Sequence, residues 1–116
     1  MKIAEVARIL GARVLCGEDR LDDEITKAFG ADMMSDVLAF MDEDTLLLTG
    51  LVNAHVIRTA EMLDLKCIVF VRGKTVSDEI IERAREENLC LMMTDKTLYH
   101  ASGLLYNAGL PGCEKE

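Results

Sequence analysis

At 116 residues, half of them hydrophobic and 29% charged, the chain can bury the core of one domain but has no room for a second catalytic module, which argues against a multi-step enzyme. Its formal charge of -8 is uneven, with 11 acids against 5 bases in residues 1–50 and 10 against 8 in residues 51–116; the bases form no run, so binding to a phosphate backbone is disfavoured. No apolar stretch approaches the ~20 residues that span a bilayer, and Glu5 interrupts the N-terminal MKIAEVARIL, so neither a membrane segment nor a signal peptide is expected and the chain reads as soluble and cytoplasmic.

Ile3, Val6, Ala7 and Leu10 make an apolar stripe, which predicts a helix over Lys2–Leu10 with Gly11 as its left-handed cap. A short strand, Ala12–Cys16, follows, then a turn at Gly17-Glu18-Asp19. Arg20–Glu24 is too charged to be buried and reads as a solvent-facing connection into a strand at Ile25–Phe29 that Gly30 ends. Asp32 is expected to cap a helix that turns Met33, Val37 and Phe40 or Met41 to the core, and Asp42-Glu43-Asp44 returns the chain to the sheet.

Three strand-loop-helix units then follow without a linker. Each opens on a nearly unbroken apolar run, the pattern of a strand buried on both faces of a parallel sheet, and continues with apolar residues at helical spacing. Strand Thr45–Thr49 leads through Gly50–Asn53 to a helix capped by Asn53 and burying Val56, Ala60 and Leu63. Strand Cys67–Val71 leads through Arg72–Val76 to a helix capped by Ser77 and burying Ile80, Ile81 and Ala84. Strand Leu89–Met93 leads through Thr94–Lys96 to a helix capped by Asp95 or Thr97 and burying Leu98, Ala101, Leu105 and Ala108. The expected fold is α/β, a three-layer sandwich around a largely parallel sheet, with residues 1–110 as one domain and 111–116 as a frayed tail. A ligand is expected where the three loops meet, since open α/β sheets bind at the carboxyl ends of their strands.

The chemistry-bearing residues narrow this further. Gly73-Lys74-Thr75 looks like the end of a phosphate-binding P-loop, but the glycine needed five residues earlier is Ile68, inside a strand. Arg72 and Lys74 flank Gly73 ahead of a helix N-terminus, which reads either as a solvated loop or as an anion site supported by the helix dipole. Thr49, Gly50 and Asn53 on one neighbouring loop, and Thr94, Asp95 and Thr97 on the other, would add donors to it. His55 and His100 begin helices beside these loops, yet neither has a carboxylate placed locally to orient it, so no catalytic residue is assigned. Ser35, Ser77 and Ser102 lack the context of a nucleophile elbow. The acidic groups Asp22-Asp23-Glu24 and Asp42-Glu43-Asp44 read as solvated. Cys16, Cys67, Cys90 and Cys113 show no metal or redox spacing; the first three read as small buried hydrophobes and Cys113 as exposed. Met33, Met34, Met92 and Met93 read as fillers of core or subunit contacts. No metal and no cofactor is expected.

The segment LLLTGLVNAHVIRTAEMLDLKCIVFVRGKTVSDEIIERAREENLCLMMTDKTLYHASGLLYNAGL, with ITKAFGADMMSDVLAF before it, resembles the DRTGG domain over nearly the whole chain. Where that family has Asp-Arg the chain has residues around Leu51, Val52 and Asn53, and where it has Thr-Gly-Gly the chain has Val71-Arg72-Gly73. The resemblance implies a fold similar to the N-terminal domain of HPr kinase/phosphorylase, without that enzyme's P-loop domain. It also implies a regulatory or oligomerising role, because DRTGG domains accompany CBS domains in regulated pyrophosphatases, occur in some phosphotransacetylases and tend to pair as dimers. The reading that results is a non-catalytic homodimeric module, with a regulated enzyme as a protein partner and a small anionic ligand such as a nucleotide. Two alternatives stand beside it: a minimal phosphoryl-transfer or hydrolytic subunit using His55 or His100 with Arg72 and Lys74, and a structural subunit without a ligand.

Overall fold

A computed structural model describes residues 1–114. Its elements run α1 (Ile3–Leu10), β1 (Arg13–Cys16), a short 3-10 turn (Glu18–Arg20), β2 (Lys27–Gly30), α2 (Met34–Phe40), β3 (Thr45–Thr49), α3 (Ala54–Met62), β4 (Cys67–Phe70), α4 (Asp78–Glu86), β5 (Cys90–Met93) and α5 (Leu98–Asn107). The five strands form one sheet in the order β1-β5-β4-β3-β2. The four strands β2 to β5 are parallel, and only β1 pairs antiparallel, on β5.

Both faces of the sheet are covered. Side chains alternate along a strand, so Leu47, Ile68, Phe70 and Leu91 face one layer, where they pack with Val37 of α2, Val56, Ile57 and Ala60 of α3, and Ile80 and Ala84 of α4. Leu46, Leu48, Val69 and Met92 face the other, against Ile3, Val6 and Leu10 of α1 and Ala101 and Leu105 of α5. Three helices therefore cover one face and two cover the other, giving the expected three-layer sandwich. Every residue of β3 and β4 is buried. This explains their apolar runs; the only polar members are Thr45 and Thr49 at the two ends of β3, whose hydroxyls donate to Asp42 Oδ1 and Asp32 Oδ1.

Several local readings change once tertiary contacts enter. Arg20–Glu24 is not simply solvent-facing: Leu21 O and Asp23 O accept from Ala4 N and Ile3 N, satisfying amides that the start of α1 would leave without partners. Ile25 exchanges backbone bonds with Met1 and is fully buried, so β2 begins at Lys27, later than expected. The start of α2 shifts by one residue, because Met33 is its N-terminal flank without a side-chain cap. Met34 enters the core, whereas Met33 is 64% exposed. In α3, Ile57 and Thr59 are buried while Leu63 is half-buried past the helix end. In α4, Ile81 is half-buried; in α5, Leu98 is half-buried and Ala108 exposed.

Beyond α5, Leu110 is buried, Pro111 O accepts from Ala28 N, and Gly112 forms a parallel bridge to Ala28. An edge strand leaves its outer backbone groups unpaired, and here the segment read as a frayed tail supplies partners for β2. It also half-buries Cys113 beside Thr45, where exposure was expected. Lys115 and Glu116, the rest of that tail, lie outside the described residues. On the opposite side of β2, Lys27 Nζ bonds Asp42 Oδ2 at 2.6 Å, and this bond holds the Asp42 carboxyl below its usual range.

Gly17 has φ +80, and a Cβ there would lie 2.5 Å from the Cα of Cys90, whereas at Gly11, φ +59, it would meet nothing nearer than the Lys96 Nζ at 4.0 Å. A left-handed non-glycine residue costs about 1–2 kcal/mol. Gly11→Ala should therefore lose about that much in urea denaturation. Gly17→Ala should lose clearly more, because the backbone of β5 must also move; equal losses would contradict the close packing of this turn.

Candidate functional site

The loops after β2, β3, β4 and β5 meet at the carboxyl edge of the sheet, and they are stitched to one another. After β2, Asp32 does not cap α2; its Oδ1 accepts from Gly50 N at 2.8 Å and from Thr49 Oγ1 at 3.0 Å. Thr49 Oγ1 in turn accepts from Leu51 N. After β4, the chain turns through two consecutive left-handed residues, Arg72 at φ +65 and Gly73 at φ +62. Their amides donate to Lys96 O at 2.8 Å and Thr94 O at 2.9 Å, which lays this loop on the one after β5. Thr94 is buried, donates from Oγ1 to Leu10 O at 2.8 Å and accepts from Lys96 N, repeating the turn made by Thr49 at the end of β3.

This geometry sorts the nine anticipated residues. The hydroxyl protons of Thr49 and Thr94 are engaged inside the protein, so neither offers a donor to a ligand. Asn53 and Thr97 cap their helices, accepting from Val56 N and His100 N. Thr97, not Asp95, is thus the cap of α5. Gly73, at the centre of the anticipated anion site, donates its amide inward, and its open face lies against the Asp95 carboxylate, whose Oδ1 would be 2.9 Å from a Cβ. Gly50 is buried, and a Cβ there would overlap the guanidinium of Arg72. The Arg72 side chain therefore lies across Gly50, beside the segment that Asp32 fastens.

Arg72 and Lys74 are exposed and make no ion pair among the described residues. The helix after them adds less to an anion site than its position suggested, because Asp78 and Glu79 already fill its first turn with negative charge. The first turns of α3 and α5 carry no acid. His55 and His100 sit in those turns, exposed, on helices that cover opposite faces of the sheet, so the structure does not bring them together. Among the described residues no cluster of three or more His, Cys, Asp or Glu is placed to hold a metal.

The thiols of Cys67 and Cys90 are neighbours across the β4–β5 ladder. The hydrogen bond between them and complete burial push the Cys67 thiol up, away from the reactive thiolate form.

A sizeable groove lies elsewhere. A groove of about 670 Å³ runs between β2 and α5, lined by Ala28, Gly30, Tyr99, Gly103 and Tyr106 among others, and none of the nine anticipated residues lines it. No motif or residue spacing in the sequence points to it. Its one cue in the sequence is that residues 98–113 contain no Asp, Glu, Lys or Arg.

A model of the DRTGG domain matches residues 5–108. The chain belongs to the DRTGG domain family. Among solved structures, this DRTGG chain is similar to the CBS and DRTGG domains of the regulatory region of Clostridium perfringens pyrophosphatase, complexed with the activator diadenosine tetraphosphate. The TM-score is 0.75 and the identity 24%, over 95% of this chain and 47% of that one, so the chain spans about half the length of that structure. No curated protein matches it. No helix among the described residues is long and apolar enough to cross a membrane.

Asp32 joins two loops that are 18 residues apart, and its loss leaves the buried Gly50 amide without an acceptor. An unsatisfied buried donor costs about 1–3 kcal/mol. Asp32→Ala should lower the unfolding free energy by about that amount in urea denaturation, and an unchanged midpoint would show that water replaces the carboxylate.

Proposed function

We propose that this DRTGG domain is a non-catalytic regulatory and oligomerising module. It works as a homodimer with a regulated enzyme as partner, and binds a small anion of the nucleotide class at the loops after the parallel strands. The observation that carries the ligand reading is the pair Arg72 and Lys74: two exposed cations without ion pairs in a chain of net charge -8, on a loop held by backbone bonds to its neighbour. A fixed backbone lowers the ordering cost of binding, and a cation in an acidic field is a local attractor for an anion. The regulatory region to which the chain is similar is complexed with a nucleotide activator, which supports that ligand class.

The enzymatic alternative would need a histidine and these cations in one pocket. Among the described residues neither His55 nor His100 is ion-paired with a carboxylate that would orient it as a base.

A thermal-shift series with adenine nucleotides, cyclic dinucleotides and inorganic phosphate tests the ligand reading. A ligand at 100 times its Kd stabilises the fold by roughly 2.7 kcal/mol, a shift on the order of 10 °C for a domain of this size. Replacing Arg72 and Lys74 together by alanine should weaken that binding and flatten its salt dependence while leaving the unliganded melting point nearly unchanged. Binding of equal strength in the double variant would remove the site from this loop.

The purified chain should also release no phosphate from ATP. Ile68, where a P-loop glycine is required, is buried within β4. Turnover abolished by Lys74→Ala would overturn the non-catalytic reading.

A further inference from the structure

The two faces of the sheet are unequally covered, and the shortfall falls at the edge strand β2. Ala28 pairs with Leu46 and Gly30 with Leu48, and both leucines belong to the α1–α5 layer, so Ala28 and Gly30 face that layer too. No third helix lies there; Leu98 at the start of α5 comes against Gly30, and beside it a groove of about 670 Å³ is left with Ala28 and Gly30 in its lining. Its outer wall is α5. Tyr99, Ser102, Gly103 and Tyr106 follow one side of that helix at the spacing i, i+3, i+4, i+7. Tyr99 is 90% exposed and Tyr106 72%, while a Cβ built on Gly103 meets nothing within 4 Å. Two large projections therefore stand two turns apart, with a flat stretch between them and a hollow beside them.

We propose that this groove is the self-association surface of the chain, occupied by α5 of a second copy across a two-fold axis; it rests on the homodimer proposed above and specifies which face forms it. The first argument is charge. Two copies of net charge -8 repel each other, and they can meet at least cost where acids are absent; residues 98–113 hold no Asp, Glu, Lys or Arg in a chain that is 29% charged overall, and His100 is the one basic side chain among them. Without Lys or Arg in its lining, the groove is a poor seat for a phosphate-bearing ligand.

The second argument is symmetry. A two-fold interface needs a patch complementary to itself. Tyr99 and Tyr106 stand at equal distances from the Ser102–Gly103 step, so an antiparallel crossing centred there sets each Tyr99 beside the opposing Tyr106. The small residues at the crossing let the two helices approach, and each tyrosine reaches toward the other copy's hollow. Aromatic side chains with one polar end suit such a surface.

Sedimentation equilibrium of the full chain, with two variants, tests this. The wild type should sediment at twice its 12.9 kDa at high micromolar concentration. Gly103→Glu should reduce it to the single-chain mass while circular dichroism and the melting profile stay those of a folded domain, since the site is open and glutamate suits a helix better than glycine. Gly103→Cys should give a disulfide-linked pair under mild oxidation, whereas Glu86→Cys, on the exposed side of α4, should not. A wild type that remains a single chain overturns both the homodimer and this surface. A dimer that survives Gly103→Glu, or a Gly103→Cys variant that is dimeric but does not cross-link, overturns the surface and leaves the homodimer standing.

Discussion

Double-sided burial of β3 and β4 is the constraint from which the other features follow. With no face open to water, each backbone group of these strands must be paired in the ladder and each side chain must be apolar or internally bonded. Thr45 and Thr49 meet that demand through Asp42 and Asp32 at the two ends of β3. Parallel pairing then requires each crossover to pass over a face, which puts a helix there and gathers all the outgoing loops at one edge. The helices do not divide evenly, three to one layer and two to the other. That imbalance, set by connectivity, is what leaves a groove between β2 and α5.

At the loop edge the structure favours fixed geometry over available donors. Arg72 is held in a left-handed conformation that costs a non-glycine residue on the order of 1 kcal/mol. The bonds from Arg72 N to Lys96 O and from Gly73 N to Thr94 O compensate for it, and they draw inward the very amides that a phosphate cradle would need. What remains outward is the guanidinium lying over Gly50 and the ammonium of Lys74, with the carboxylates of Asp95 and Asp32 close by. Such an edge offers side-chain charge at a set position, flanked by acids. It differs in kind from a glycine-rich loop, in which the backbone does the binding.

The loop edge and the α5 groove are chemically opposite surfaces. One is charged and bound together by long-range hydrogen bonds; the other is uncharged, with projecting tyrosines. They are joined through α5, whose cap Thr97 follows directly on the Lys96 carbonyl that receives Arg72 N. A ligand that alters the loop after β5 would bear on the first turn of the helix that borders the groove.

Much of this was legible in the sequence because it is local. The span of β3, the left-handed Gly11, and Asn53 and Ser77 as caps follow from side chains acting on their own neighbouring backbone, and the unbroken apolar runs report two-sided burial wherever they occur. The same reading placed the three loops at one edge. Other features depend on partners far along the chain. Asp32 was assigned to the nearest helix start, but its Oδ1 accepts from groups 17 and 18 residues on. Met33 and Met34 have equal apolar character, and only the packing of α2 decides which is buried. Pro111 and Gly112 bond to Ala28, 83 and 84 residues away, because an edge strand has unpaired groups there. The sequence by itself determined the elements, their order and the layered fold, since periodicity and capping act over a few residues. The tertiary structure alone decided which donors face inward and which face of the sheet lies open, since those depend on contacts between segments that share no local pattern.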